Sequence, residues 1–128
     1  ERAADKWEAI RLAGDLLVKG GYVNMEYVDA MAERETVTTT YLGQGIAIPH
    51  GTAKAKSEVL HTGISVVQYP DGVAFGDERA QLVIGIAGIG DEHLELLARV
   101  SEALENEEVL AHLKSTTDPM DILKVLQS

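Results

Sequence analysis

Four histidines, His50, His61, His93 and His112, are the side chains best suited to group transfer or metal ligation. Imidazole is a nucleophile near neutral pH and a common metal ligand. No two of the four show HExxH spacing or sit four apart on a helix. A zinc site assembled only in three dimensions remains the metal alternative. His112 falls on a polar helix face and His61 beside the charged run KAKSE, so both read as solvated surface residues. His50 closes the run GIAIPHG, Gly45 to Gly51. Pro49 cannot donate to a sheet ladder and so ends a strand. Gly51 allows unusual dihedrals and close approach of another molecule. Strand ends of α/β sheets commonly carry ligands and catalytic groups. The competing reading of His50 is a structural histidine in a tight turn.

His93 stands in GIGDEHLELL, where an apolar strand runs through glycines into a helix starting near Asp91. A first helical turn offers free N–H groups to an anion. Asp91 and Glu92 already bring negative charge there, and an exposed polar residue is the competing reading. The order Gly85, Gly88, Gly90 is neither GxGxxG nor a Walker loop, which argues against nucleotide binding. Arg34, in AERETV just past a second helix, could hold a phosphoryl group by two hydrogen bonds. It could equally pair with the acids beside it. No GxSxG occurs, which excludes the usual serine hydrolase elbow. DERA and ENEE read as solvated faces.

These residues need a scaffold. The 128 residues are 45% hydrophobic and 25% charged, which suits one globular domain. The net charge of −10 disfavours nucleic acid and anionic membranes and favours partners with basic or apolar faces. There is no cysteine, so disulfides, thiolate metal sites and cysteine nucleophiles are excluded. No apolar run spans a bilayer and no signal peptide is visible, so the expected compartment is the cytoplasm, without membrane insertion. The chain opens at Glu1 without methionine, as a fragment would.

Helical periodicity over 3–19 puts Ala3, Trp7, Ile10, Ala13 or Gly14, and Leu17 on one face, stopped by Gly20–Gly21. A second helix is expected over Met25 to Glu33, with Asn24 as N-cap. ETVTTTYLG reads as extended chain or loop, and GIAIP as a short strand. TGISVVQY, 62–69, is a strand, and PDGVAFGD, 70–77, reads as a turn around a short apolar island. QLVIGIAG, 81–88, is apolar on successive residues and so is buried on both faces. A helix from Asp91 to Leu104 follows, with Leu94, Leu97, Ala98, Ser101 and Leu104 on one face. A short helix over Glu107 to Leu113 comes next. In the last helix Asp118 caps, Pro119 takes the first position, and Ile122, Leu123 and Leu126 pack. The expected architecture is a single-domain α/β three-layer sandwich, a mixed sheet with helices on both faces.

Together, TYLGQGIAIPHGTAKAKSEVLHTGISVVQYPDGVAFG, LVIGIAG and DEHLELL resemble the IIA domain of the mannitol/fructose branch of the bacterial sugar phosphotransferase system. The resemblance is strongest to mannitol-specific members and covers nearly the whole chain, 1–128. It implies phosphoryl relay from the phosphocarrier HPr to a cysteine of a IIB domain, which then phosphorylates the sugar. By motif, His50 is the phosphoryl acceptor through Nε2. His93 and Arg34 help to hold the phosphoryl group. No metal or other cofactor is implied. Members of the branch usually carry a further N-terminal segment with a strand, which is absent before the first helix here. The alternative within the resemblance is a regulatory IIA homologue, a phosphorylation-controlled binding module.

Overall fold

A computed structural model describes residues 5–43, 45–89 and 92–115. Helix α1, Lys6–Lys19, starts where the Asp5 side chain accepts the Glu8 N–H at 3.0 Å, an N-cap that satisfies an otherwise orphaned donor. It ends at Gly20, and Gly21 then takes φ +81°, which suits glycine. Ile10, Ala13, Gly14 and Leu17 are buried as their spacing predicts, and Ala9 joins them. Trp7 does not. It is 41% exposed, with Lys6 Nζ 4.9 Å from its ring centre. Ala3 and the expected helix over 118–126 lie outside the described residues.

Helix α2, Glu26–Val37, runs a full turn beyond the expected end. Arg34 therefore sits in its last turn, not past it. Asn24 is no cap. Its amide donates to Glu58 at 3.1 Å, and Met25 takes the cap position without a side-chain bond. The helix extends because Glu35 turns inward and finds partners, described below.

The sheet has order β1-β2-β4-β3. Strand β1, Tyr41–Gly43, pairs antiparallel with β2, Ile46–Ala47, which runs parallel to β4, Glu78–Ala87. Strand β3, Gly63–Phe75, pairs antiparallel with β4. The expected turn over 70–77 shrinks to the residues after Phe75, with Gly76 at φ +66°. The apolar island is strand: Val73 and Phe75 are buried, and the surplus residues form a register shift between Gln68 and Val73.

Two cores flank the sheet. Val83 and Ala87 face α1 and α2 with Ile10, Leu17 and Met31. Leu82, Ile84 and Ile86 face α3, Glu92–Leu104, and α4, Glu107–Ser115, with Ile46, Ile48 and Val100. This is the expected three-layer sandwich. Full burial of a large aliphatic side chain is worth about 1.5–3 kcal/mol, and β4 buries on both faces. The inward face of α3 is Leu96, Leu97, Val100 and Ala103. Leu94 and Ala98 are exposed instead. Among the described residues no helix is long and apolar enough to cross a membrane.

Gly85 lets α1 approach β4. A Cβ there would lie 2.5 Å from Ser65 Oγ and 3.2 Å from Ala13 Cβ, while the Ser65 hydroxyl donates to Ala13 O at 2.8 Å. Gly85→Ala is expected to cost about 1–3 kcal/mol by overpacking. A urea midpoint matching that of the parent protein would show that α1 rests less tightly on the sheet than this.

Candidate functional site

The site is built from the ends of two parallel strands. Ile46 pairs with Leu82 and Ala47 with Val83, and the same register carries His50 opposite Ile86 in an isolated parallel bridge. Paired residues share a face of a sheet. His50 thus lies on the α3 side with Ile86, Ile46 and Ile48. It is half-buried, so the ring is partly held and partly open to solvent. Pro49 does not merely end the strand. Its carbonyl accepts the Ile86 N–H at 3.0 Å.

The His50 Nδ1 lies 3.0 Å from the carbonyl oxygen of Ile48. A carbonyl only accepts, so Nδ1 carries the hydrogen. In the neutral ring the lone pair then sits on Nε2. The tautomer is set by a backbone oxygen two residues away, a partner that side-chain motifs do not name. Residue Ile48 is held on its other side too, since its N–H donates to Thr40 O at 3.0 Å.

Thr40 in turn is held by Glu35. This carboxylate is 3% exposed and accepts the Thr40 N–H at 2.8 Å, the Thr40 hydroxyl at 2.6 Å and Lys6 Nζ at 3.2 Å. Burial by itself would raise its pKa. The Thr40 and Thr39 hydroxyls, the Thr40 N–H and Lys6 together outweigh burial and lower it. A buried charge is tolerable only with such a full set of donors. Motif reading passed Glu35 over; a lone acid before threonines carries no signal of burial.

Tyr27 is the second residue missed. From α2, 4% exposed, its hydroxyl accepts the Gly51 N–H at 2.9 Å and donates to Ile86 O at 2.7 Å. Burial raises its pKa, with the Gly51 N–H acting in the opposite direction, so the phenol keeps its proton. Gly51 shows no positive φ. A Cβ there would stand 2.5 Å from Tyr27 Cε1. The molecule that approaches Gly51 closely is therefore the protein's own tyrosine ring.

His93 is the second residue of α3, and its side chain lies outside the described residues. The helix begins where the Glu92 N–H donates to Ile89 O at 3.0 Å, three residues beyond Ile86, the bridge partner of His50. The backbones of His50 and His93 thus follow neighbouring strand ends. Arg34 stands on α2, half-buried, and its guanidinium donates to Thr38 O at 2.9 Å. It shares its helix end with Glu35, and through Thr40 with Ile48. His61 is exposed. Among the described residues no three His, Asp or Glu side chains gather as metal ligands would. A cleft of about 300 Å³ is lined by Trp7, Glu8, Arg11, Val28 and Ala32 of α1 and α2, which are none of the candidate residues.

A strand-end imidazole with a fixed tautomer suits nucleophilic group transfer. The sequence model of the phosphoenolpyruvate-dependent sugar phosphotransferase system, EIIA 2 family, matches residues 1–128. The chain belongs to the EIIA 2 family. This EIIA domain is 52% identical over 128 residues to the PTS system mannitol-specific EIICBA component of Escherichia coli (strain K12), covering 98% of this chain and 20% of that protein. It is 51% identical over 127 residues to the mannitol-specific phosphotransferase enzyme IIA component of Geobacillus stearothermophilus, covering 98% and 87%. It matches the enzyme IIAMTL structure, solved by NMR in complex with phosphorylated enzyme IIBMTL from Escherichia coli, with a TM-score of 0.91 at 50% identity, over 99% of this chain and 90% of that one. The chain spans about a fifth of the length of the EIICBA relative. The family resemblance read from the motifs, and its tilt toward mannitol-specific members, are borne out.

Glu35 links stability of this EIIA domain to pH. A carboxyl with a lowered folded pKa contributes stability that is complete above its unfolded value, about 4.3, and lost as pH falls through the folded value. Urea unfolding from pH 7 to pH 3 should show this loss. Glu35→Gln should flatten that part of the acid limb and cost about 1–3 kcal/mol at pH 7. An unaltered acid limb would mean that Glu35 is not the group responsible.

Proposed function

We propose that the domain is a phosphoryl-relay phosphotransferase. His50 accepts the phosphoryl group from phospho-HPr and passes it to a cysteine of a IIB domain, serving the uptake and phosphorylation of mannitol in the cytoplasm. The observation that carries this reading is the 3.0 Å contact of Nδ1 with Ile48 O, which leaves Nε2 as the nucleophile. The mannitol-specific names of the relatives, and the IIA–IIB complex among the similar structures, support the choice of sugar and partner.

The bond from Nε2 to phosphorus forms as the bond from phosphorus to the donor breaks. The lone pair of Nε2 is consumed and Nδ1 keeps its hydrogen, so the ring becomes a phosphorylated imidazolium. Ile48 O stabilises that positive ring by accepting a charge-assisted hydrogen bond. The cationic ring is also a better leaving group than a neutral one, which keeps onward transfer feasible. The phosphoryl group adds about −1.5 to −2 units of charge to a domain already at −10. Its equatorial oxygens need donors. His93, at the start of α3, and Arg34 are proposed to supply them, with Arg34 exchanging its Thr38 carbonyl for the phosphoryl oxygens.

Docking needs an apolar face near His50. Ile89 is 44% exposed and Leu94 is 56% exposed, both close in sequence to Ile86 and the start of α3. Leu94, expected in the core, instead supports this surface. Exposed Glu92 and Glu95 border it and would suit a basic partner.

Phosphorylation with labelled phospho-HPr, followed by mapping of the modified residue, tests the acceptor. His50→Ala should abolish acceptance with the fold intact, and normal acceptance by that variant would refute the assignment. His93→Ala should slow transfer by about tenfold to a hundredfold while leaving some acceptance. A complete loss there would make His93 the acceptor or an obligatory intermediate. Arg34→Ala should shorten the lifetime of the phosphorylated domain and slow its formation; an unchanged lifetime would remove Arg34 from the site.

A further inference from the structure

We infer that Tyr27 is a positioning residue for phosphoryl transfer, holding the His50 ring in its reactive orientation through the Gly51 peptide. The inference rests on the reading of His50 as acceptor. His50 is held by its two sequence neighbours, and both are tied to Ile86. On one side Pro49 O accepts the Ile86 N–H directly at 3.0 Å. On the other, a regular parallel ladder would have the Gly51 N–H donate directly to Ile86 O. Here the Tyr27 hydroxyl mediates, accepting from Gly51 at 2.9 Å and donating to Ile86 at 2.7 Å.

The hydroxyl ties the two strands together at the proposed acceptor, with its donor and its acceptor both used. The ring fills the space above Gly51, where a Cβ would lie 2.5 Å from Cε1 and 2.8 Å from Cζ. Packing alone would be served by phenylalanine at this position. The hydroxyl adds something that packing does not need, and its two bonds land on the peptide after His50 and on the strand residue beside it. Tyr27 touches neither the ring nor the phosphoryl group in this arrangement. Its effect passes through the backbone to the angle at which Nε2 meets phosphorus, and transfer rates depend steeply on that alignment.

The test is Tyr27→Phe, which keeps the ring and removes the oxygen. Imidazole nitrogen NMR of the unphosphorylated protein reads the state of His50 with no donor present. The parent protein should show one protonated Nδ1 and one unprotonated Nε2, and the variant an averaged mixture of tautomers. Single-turnover acceptance from phospho-HPr should fall about tenfold, with the half-saturating donor concentration unchanged, since the docking surface is untouched. Gly51→Ala, which pushes on the same contact with the hydroxyl present, should reproduce both effects and carries the test should Tyr27→Phe fail to fold. A parent-like rate in a folded variant would overturn the inference, whatever the nitrogen signals show. Acceptance that survives His50→Ala would instead overturn the acceptor reading, whereas loss in His50→Ala beside a normal Tyr27→Phe rate would remove Tyr27 alone.

Discussion

The parallel register between β2 and β4 is the constraint on which the site depends. Ile46 opposite Leu82 and Ala47 opposite Val83 oblige His50 to arrive opposite Ile86. A slip of one residue would send the imidazole to the α1–α2 face and into a packed core. Both flanking cores resist such a slip, because Ile46, Ile48, Leu82, Ile84 and Ile86 fill one side while Ala47 and Val83 fill the other. Burial of ordinary aliphatic side chains thus sets the face on which the His50 imidazole emerges.

Local polar bonds then refine what the register delivers. The Ile48 carbonyl selects the tautomer of His50, and Thr40 and Glu35 hold Ile48 from behind. Glu35 is an ion in a dry place, satisfied by Thr40 and Lys6. Such an arrangement is sensitive to loss of any one donor, because a stranded buried charge costs far more than a missing contact. It also joins the start of α1 to the end of α2, so helix docking and site geometry are linked through one carboxylate. The neutral phenol of Tyr27 plays the corresponding part on the far side of His50.

Much of this was legible in residue pattern. Successive apolar residues over 81–88 announced a doubly buried strand, and β4 is buried toward both helix layers. Pro49 and Gly51 around His50 announced a strand end. Several errors share one cause, that local chemistry was overridden by distant partners. PDGVAFGD contains turn residues, yet Val73 and Phe75 have a core to enter and the strand continues. Asn24 is a good N-cap type, but Glu58 takes its amide. Trp7 and Leu94 have the right spacing for a buried face and stand at its margin, because the cores end before they reach them.

The order of apolar and polar residues determined by itself the alternation of helices and strands, the layered α/β architecture and the strand-end position of His50. These follow from periodicity and from the backbone limits of proline and glycine, which act over a few residues. Tertiary structure alone decided that Glu35 is buried against Lys6, and that a tyrosine 24 residues away grips Gly51. Hydrogen-bond partners of that kind depend on which segments the folded chain brings within about 3 Å, and no short-range pattern encodes that distance.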